Sequence, residues 1–405
     1  MNKLALLGVA ILLWTAQPAI AQTAAPLKLA TKYEIPTSVK GRFDHLGIDT
    51  AGNRLFVVAE EGGQVLVFDL GSGKIVHTIM VPHPHAVLVR NDLNRIYITD
   101  EEKGAVNIYD AKTYEMQKAV PLKVDTDSIG YDPAAHYLYV DNGGDNAHET
   151  FTMLSVVDTT AGTKLADIKI DGDTLEAMAL ETSGSRLFLN NPAKNEVEVI
   201  DRKTNKLTTS WPVKLGKDNS TMAFDESAYR LFVGCRSGQM VVFNTQAGKE
   251  LQALAIGRRA DDLVFDPASK RIHATSGGAG VVNVYKEIDP DHYQSLGQVP
   301  SGPGGKDRPS GDAVISSFCS RAGERGSAER GLRLRTFSER RWRRALAWTG
   351  TIESVVTDSP VARARQLPKS CCPISLLQRR IDVPVLENLF QVRPNAQIRD
   401  VIRNR

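Results

Sequence analysis

The chain has 405 residues with 50 Lys and Arg, 47 Asp and Glu and four cysteines, which gives a formal net charge of +3. So few cysteines in so long a chain exclude a disulfide-stapled scaffold. The charge is unevenly divided, because residues 1–305 carry 30 basic and 37 acidic side chains whereas residues 306–405 carry 20 and 10. Since phosphate binding needs a basic face, no nucleic-acid partner is expected for the larger, acidic part.

The first 21 residues have the pattern of a secretory signal peptide. Lys3 supplies the positive charge, Leu4 to Trp14 form an apolar segment, and Ala19-Ile20-Ala21 is an A-x-A cleavage site. The apolar segment is shorter than a bilayer span. The sequence therefore predicts cleavage after Ala21, a periplasmic or secreted protein, and a mature chain that does not span a membrane.

A strand is predicted over residues 27–35. Its apolar residues Leu27, Leu29, Tyr33 and Ile35 alternate with polar or small ones, which is the period of a half-buried strand. This strand stands alone before the repeats, with no neighbouring strand in the sequence to pair with it.

Residues 41–300 contain six copies of a unit of about 42 residues. A repeat of this length made of short strands is typical of a β-propeller blade with four strands. The first unit predicts strands over 43–49, 54–59, 64–69 and 74–81, and its reversals carry Gly, Asn or Asp. The fold is therefore predicted to be an all-β propeller, with blades at about 41–81, 82–122, 123–170, 171–213, 214–256 and 257–300.

The third blade contains a longer loop at Asp141–Thr150, which is rich in Asp, Asn and Gly. Such a loop resembles a calcium ligand set in composition. It lacks the regular spacing of a calcium-binding loop, so we expect a solvated turn.

The strand over 27–35 also bears on the number of blades. Propellers often close their ring by adding an N-terminal strand to the last blade, so this strand predicts a seventh blade after Pro300. Residues 306–405 show no clear strands for it and have an Arg-rich composition. We therefore interpret the chain as a seven-bladed design with six intact blades and a disrupted last one.

Two explanations of residues 306–405 stay open. When the codons of Gly331–Thr336 are read with a one-base shift, they can encode Val-Phe-Val-Tyr-Glu, the pattern of a third strand, so the segment is interpreted as frameshifted or disordered. Alternatively, it is a true basic tail with an amphipathic helix for anionic lipid or nucleic acid. The residues of that helix would be Arg340, Arg341, Arg343 and Arg344 beside Trp342 and Trp348.

One aligned position collects polar side chains at the start of the inner strands. It lies ten residues before Arg54, Arg95, Tyr137, Arg186, Arg230 and Arg271, the residues on which the six units align. Inner strands surround the central channel, so these side chains should converge at its mouth. The predicted ligand site consists of Asp44, His45, His85, Asp127, Glu176, Ser220 and Asp261.

Like charges that converge at one mouth raise one another's pKa or attract a cation. The candidate metal ligands are Asp44, His85, Asp127, Glu176 and Asp261, a donor set that suits calcium, manganese, zinc or iron. The alternative is that the same residues only solvate a water-filled channel. No catalytic residue can be named, because the chain contains neither a nucleophile elbow nor a haem-attachment motif.

The repeats resemble those of the bacterial exported YVTN-repeat propellers, the YncE-like family. The segments that carry the resemblance are Gly41–His45, Asp127–Asp132, Glu176–Glu181 and Arg271–Ala274, and the similar region is 27–305. The resemblance implies a seven-bladed periplasmic propeller, usually without an assigned reaction. The disrupted last blade departs from that pattern.

Two functions are compatible with these observations. The first is an exported binding or interaction protein whose channel mouth holds a small molecule, a cation or a peptide. The alternative is a metal-dependent hydrolase similar to the gluconolactonase (lactonase) propellers, in which a channel metal activates water. Fold resemblance alone does not decide between them.

Overall fold

The computed structural model describes residues 25–301 and 350–356. In this part of the chain the strands form six four-stranded antiparallel sheets and one two-stranded sheet. The four-stranded sheets follow one another in the sequence, and the inner strands of consecutive sheets contact each other. This arrangement confirms the predicted all-β propeller with four-stranded blades. No helix among the described residues is long and apolar enough to cross a bilayer.

The strands of each blade run in chain order from the inner strand to the outer one. The N-terminal strand is β1 (Lys28–Ile35). Blades one and two are β2 (Leu46–Asp49), β3 (Arg54–Ala59), β4 (Gln64–Asp69), β5 (Ile75–Met80), β6 (Pro84–Arg90), β7 (Arg95–Asp100), β8 (Ala105–Asp110) and β9 (Met116–Pro121). Blades three and four are β10 (Ile129–Asp132), β11 (Tyr137–Gly143), β12 (Phe151–Asp158), β13 (Thr163–Asp171), β14 (Met178–Leu180), β15 (Arg186–Asn191), β16 (Glu196–Asp201) and β17 (Lys206–Pro212). Blades five and six are β18 (Asn219–Asp225), β19 (Arg230–Cys235), β20 (Gln239–Asn244), β21 (Lys249–Ala255), β22 (Ala260–Asp266), β23 (Arg271–Ser276), β24 (Val281–Asp289) and β25 (His292–Pro300). Two single 3₁₀ turns are Asn91–Leu93 and Asp145–Ala147, and the last described strand is β26 (Gly350–Val356).

The core lies between neighbouring blades. Strand β3 shows the reason, because its side chains alternate between two separate clusters: Leu55 and Val57 pack in one, while Phe56 and Val58 pack against Val87 and its neighbours in blade two. Side chains that alternate along a strand point to opposite faces of the sheet. Both faces of a blade are therefore buried, and each blade depends on its neighbours for its core.

The basic residue on which the units align also links one blade to the next. It lies at the start of the second strand and donates to a backbone carbonyl in the turn that follows the third strand of the next blade. Arg54, for example, contacts the buried Asp49 of its own blade at 2.7 Å and donates to Ala111 O at 2.5 Å. The equivalent pairs are Arg95 with Thr159 O, Arg186 with Thr245 O and Arg230 with Pro290 O, whereas Arg271 of blade six donates to Pro26 O, which precedes β1.

Blade three is the exception, because Tyr137 occupies this position. The link between blades three and four runs in the opposite direction. Arg202, which follows the third strand of blade four, forms a buried ion pair with Asp132 of blade three. The same guanidinium donates to Glu181 O at 2.5 Å and to Gly184 O at 2.8 Å. One arginine from blade four thus replaces the one that blade three lacks.

The N-terminal segment lies between blades six and one. Leu27 packs in a cluster with Val264 and Val282 of blade six. Tyr33 packs in the cluster of blade one, where its ring centroid lies 5.8 Å from that of Phe68 and its hydroxyl donates to Leu70 O at 3.0 Å. The strand predicted over 27–35 is therefore present and contacts both blades that flank the predicted closing position.

The partner of β1 is β26, which pairs with it antiparallel and places Ile352 opposite Tyr33. The described residues thus contain two strands at the closing position. The predicted signal peptide, the segment Gly331–Thr336 and the proposed helix around Arg340–Arg344 lie outside the described residues, so these remain predictions.

Candidate functional site

Three of the predicted residues meet at the channel mouth, where blades one, two and three begin. Asp44 precedes β2, and its N–H donates to Val58 O at 3.0 Å. His85 is the second residue of β6, and Asp127 precedes β10, where its N–H donates to Asp141 O at 3.2 Å. His85 Nδ1 lies 2.7 Å from Asp44 Oδ2 and 3.4 Å from Asp127 Oδ1. We call Asp44, His85 and Asp127 the mouth cluster.

The buried charge of the Asp44 carboxylate determines the electrostatics of this cluster. Its side chain is only 1% exposed, and neither of its oxygens accepts a hydrogen bond of good geometry. A buried carboxylate without such bonds is costly unless a positive charge lies beside it. That charge is either the imidazolium of His85 or a cation in its place. Consistently, Asp44 and Asp127 raise the pKa of His85 well above its usual range, although burial opposes the charged form.

His45 extends the mouth cluster toward blade six. Its Nε2 lies 3.8 Å from Asp127 Oδ1 and 4.0 Å from Asp44 Oδ1. Burial lowers the pKa of His45, but the charges of Asp44, Asp127 and Asp262 outweigh it and raise that pKa. Burial also raises the pKa of Asp262 to about 6, and His45 opposes this shift. The predicted ligand His45 therefore belongs to the same electrostatic group.

A second group, whose two carboxylates the sequence did not indicate, lies on the other side of the His85 ring. It consists of Glu60, His83, His85 and Glu101, which we call the rim cluster. Glu101 Oε2 lies 2.7 Å from His85 Nε2 and 2.5 Å from His83 Nδ1. Glu60 Oε1 lies 3.7 Å from His85 Nε2 and accepts from Arg42 Nη2 at 2.6 Å. The imidazole of His85 thus offers one nitrogen to each cluster.

The two carboxylates of the rim cluster respond to it in opposite directions. Burial and the charge of Asp44 raise the pKa of Glu60 to about 7, and His85 and Arg42 only partly offset them. Burial also disfavours the charged form of Glu101. The hydrogen bonds from His83 and His85 outweigh it, so the pKa of Glu101 lies well below its usual range.

A sequence signal for Glu60 and Glu101 exists in the repeat. Both lie six residues after the aligned basic position, where the second strand ends. The residues at that position in the six blades are Glu60, Glu101, Gly143, Pro192, Arg236 and Gly277. In an antiparallel pair the end of the second strand lies beside the start of the first. Charged residues at this position are therefore neighbours of the mouth.

The other predicted residues lie in a different environment. Glu176 Oε1 accepts from Arg236 Nη2 at 2.9 Å, and Asp261 contributes to the field that raises the pKa of Arg236. Ser220 Oγ donates to Ala260 O at 2.9 Å. The structure therefore does not bring Glu176 and Asp261 into the mouth cluster, in contrast to the five-ligand prediction. The reason is Arg236, whose guanidinium supplies the positive charge on that side of the channel.

The loop Asp141–Thr150 borders the rim cluster instead of forming only a solvated turn. Asn146 Nδ2 donates to Asp125 Oδ1 at 2.8 Å and also to Glu101 Oε1. Asp141 is buried, and Ser128 N donates to its Oδ1 at 2.6 Å. Burial and the charges of Asp127 and Asp125 raise the pKa of Asp141 well above its usual range. The loop thus orients one rim carboxylate and places the buried carboxyl group of Asp141 behind the mouth.

The two clusters have the composition of cation sites. In each cluster the donor atoms lie within 4.8 Å of one another, which is the span of one coordination shell. The mouth cluster has two carboxylates and one imidazole, whereas the rim cluster has two of each. The arrangement can therefore hold protons or metal ions between fixed carboxylates.

Comparisons with known proteins agree with the repeat pattern. No protein-family model matches the chain. Over 98 residues it is 35% identical to the uncharacterised protein YncE of Salmonella typhi and of Salmonella typhimurium, which covers 24% of this chain and 28% of each relative. Over 112 residues it is 30% identical to Antigen Lp49 of Leptospira interrogans, which covers 25% of this chain and 24% of that protein. The chain thus matches about a quarter of the length of these curated relatives.

Similar solved structures extend the likeness to most of the chain. A chain of the Kuenenia stuttgartiensis hydrazine synthase superposes with a TM-score of 0.56 at 17% identity, over 67% of this chain and 90% of that one. A chain from the crystal structure of the mitotic checkpoint complex gives a TM-score of 0.59 at 14% identity, over 75% and 90%. At such identities the likeness shows the fold alone. The chain is thus a β-propeller that is similar in sequence to YncE over about 100 residues.

Proposed function

We propose that the protein is an exported binding protein whose channel mouth holds a divalent cation through Asp44, His85 and Asp127. The observation that supports this proposal most directly is the Asp44 carboxylate, which is buried and lacks hydrogen bonds of good geometry. Two carboxylates beside one imidazole suit Mn²⁺, Fe²⁺, Zn²⁺ or Ca²⁺. A cation held at the mouth would present its remaining coordination positions to the channel, where a small polar molecule or a peptide could bind.

The experiment is a titration of the metal-free protein with Mn²⁺ by calorimetry. We expect one bound ion for the wild type and at least about a tenfold loss of affinity for Asp44→Asn and for Asp127→Asn, because each removes one charged ligand. Glu176→Gln is the matched control. Glu176 belongs to the Arg236 ion pair across the channel, so this variant should bind as the wild type does. A wild type without Mn²⁺ binding, or an equal loss in Glu176→Gln, would contradict the proposal.

We also propose export to the periplasm, which rests on the signal-peptide pattern of residues 1–21. Expression of the full chain in a bacterium should yield a periplasmic protein whose first residue is Gln22. Edman sequencing of the purified protein measures this directly. A cytoplasmic protein that retains residues 1–21 would refute the assignment.

The metal-dependent hydrolase remains the alternative prediction, because a cation at the mouth is compatible with either function.

A further inference from the structure

We propose that the rim cluster, formed by Glu60, His83, His85 and Glu101, is a second metal site with a preference for Zn²⁺-like transition metals. This inference rests on the proposed function in one respect, because His85 belongs to both sites. It goes beyond that function because it assigns different ligands and a different class of ion, and because it predicts that the two sites compete for His85.

The donor set indicates the class of ion. The donor atoms of two imidazoles and two carboxylates lie within 4.8 Å of one another, and His83 Nδ1 and His85 Nε2 lie 2.5 Å and 2.7 Å from the same oxygen of Glu101. Imidazole ligands favour Zn²⁺, Co²⁺ and related ions, whereas Ca²⁺ and Mg²⁺ prefer sites made of oxygen. The mouth cluster has only one imidazole nitrogen for its two carboxylates. The rim cluster is therefore the more selective of the two for a transition metal.

The surroundings of the rim cluster resemble those of a prepared site. Arg42 holds Glu60 at 2.6 Å, and Asn146 donates to the second oxygen of Glu101. On the opposite side of the His85 ring, Nδ1 lies 2.7 Å from Asp44 Oδ2. A metal-bound imidazole commonly donates its other N–H to a carboxylate, which fixes the ring and the tautomer. The negative charge of Asp44 lies beside that N–H when His85 Nε2 binds a metal.

The cluster is also accessible. Glu60 and His85 are buried, with 3% and 8% of their side chains exposed, but His83 and Glu101 are 29% and 18% exposed. An ion can therefore approach from the His83 side while the two buried ligands stay in place. The partial exposure of His83 makes its substitution a mild one for folding.

The shared imidazole makes the two sites mutually exclusive. A neutral imidazole has one lone pair and one N–H. When Nε2 binds an ion at the rim, Nδ1 carries the proton and is no longer a ligand for the mouth. Binding at the mouth through Nδ1 excludes the rim in the same way. Zn²⁺ at the rim should consequently weaken Mn²⁺ binding at the mouth.

The test uses the full exported chain, freed of metal, and Co²⁺ as a spectroscopic probe for the Zn²⁺ site. The wild type should bind Co²⁺ with visible absorption that Zn²⁺ removes. His83→Gln should weaken Zn²⁺ binding at least about tenfold and keep Mn²⁺ binding. Asp127→Asn should do the reverse. Glu101→Gln serves as a second rim variant, and circular dichroism of each variant checks its folding.

The outcomes separate the two proposals. Loss of Zn²⁺ binding in His83→Gln and Glu101→Gln, with Mn²⁺ binding retained, supports the rim site. Zn²⁺ binding that is unchanged in both rim variants overturns it, as does a wild type that binds no Zn²⁺. If Asp127→Asn loses Zn²⁺ and Mn²⁺ together while the rim variants lose neither, the mouth is the metal site and the rim proposal is wrong. Simultaneous, independent binding of Zn²⁺ and Mn²⁺ would refute the mutual exclusion.

Discussion

Arg202→Leu is expected to lower the free energy of unfolding by about 3–5 kcal/mol, because removal of one partner from a buried ion pair leaves the other charge uncompensated. Asp132 is that other partner, and only 9% of its side chain is exposed. The same substitution also leaves Glu181 O and Gly184 O without their guanidinium donor. The change is measured from urea unfolding followed by circular dichroism.

Two control variants test whether the loss of stability comes from the ion pair. Lys203→Leu changes an exposed basic residue next in the chain and should shift stability by less than about 0.5 kcal/mol. The double variant Arg202→Leu with Asp132→Leu should lose less than the sum of the two single variants, because the uncompensated charge is gone. Additive losses would show that the ion pair does not link blades three and four.

Tyr33→Ala is expected to lower the free energy of unfolding by about 3–5 kcal/mol, the usual cost of deleting a buried aromatic ring. Tyr33 is 4% exposed and packs against blade one beside Phe68. Gly73 leaves room for the ring, since a Cβ at that position would lie 2.7 Å from Tyr33 Cδ1. Loss of the ring would uncover the apolar face of blade one at the closing position.

Tyr33→Phe is the matched variant, because it keeps the ring and removes the hydroxyl group that donates to Leu70 O. It should cost about 1 kcal/mol. Exposed apolar faces promote association, so Tyr33→Ala should also elute earlier than the wild type in size-exclusion chromatography. A Tyr33→Ala variant that is as stable and as monomeric as the wild type would show that β1 does not stabilise the ring.

Most of the fold was predictable because the same strand pattern recurs in six units of the sequence. In blade one the predicted second and third strands, 54–59 and 64–69, match β3 and β4 residue for residue. The inner strand was predicted from 43 but begins at Leu46. The difference arises because Asp44 and His45 extend into the channel mouth before regular pairing with β3 starts. A hydrophobic pattern alone does not distinguish a strand from the residues that lead into it.

The candidate site was only half predictable. Alignment of the units brought Asp44, His85 and Asp127 together, because one position per blade must face the channel. It did not separate them from Glu176 and Asp261, since the deciding residue is Arg236, whose side chain crosses from the second strand of blade five to Glu176. Glu60 and Glu101 were missed because the aligned position lies only on the first strand of each blade. Which charges neutralise one another depends on neighbours across blades, and a single sequence does not give those distances.

Arg202 links blade four back to blade three, whereas arginines such as Arg54 link a blade to the next one. This difference limits which blades of the ring can be exchanged by recombination. Blades one, two and five each carry the arginine that donates to the next blade, so such a blade keeps its own link when it is exchanged. Blade four is different, because it supplies Arg202 to a predecessor that has Tyr137 in place of an arginine. An exchange of blade four alone would leave Asp132 without its ion-pair partner, and an exchange of blade three alone would leave Arg202 without its partner. The smallest interchangeable module at this point of the ring is therefore the pair of blades, from about residue 123 to 213.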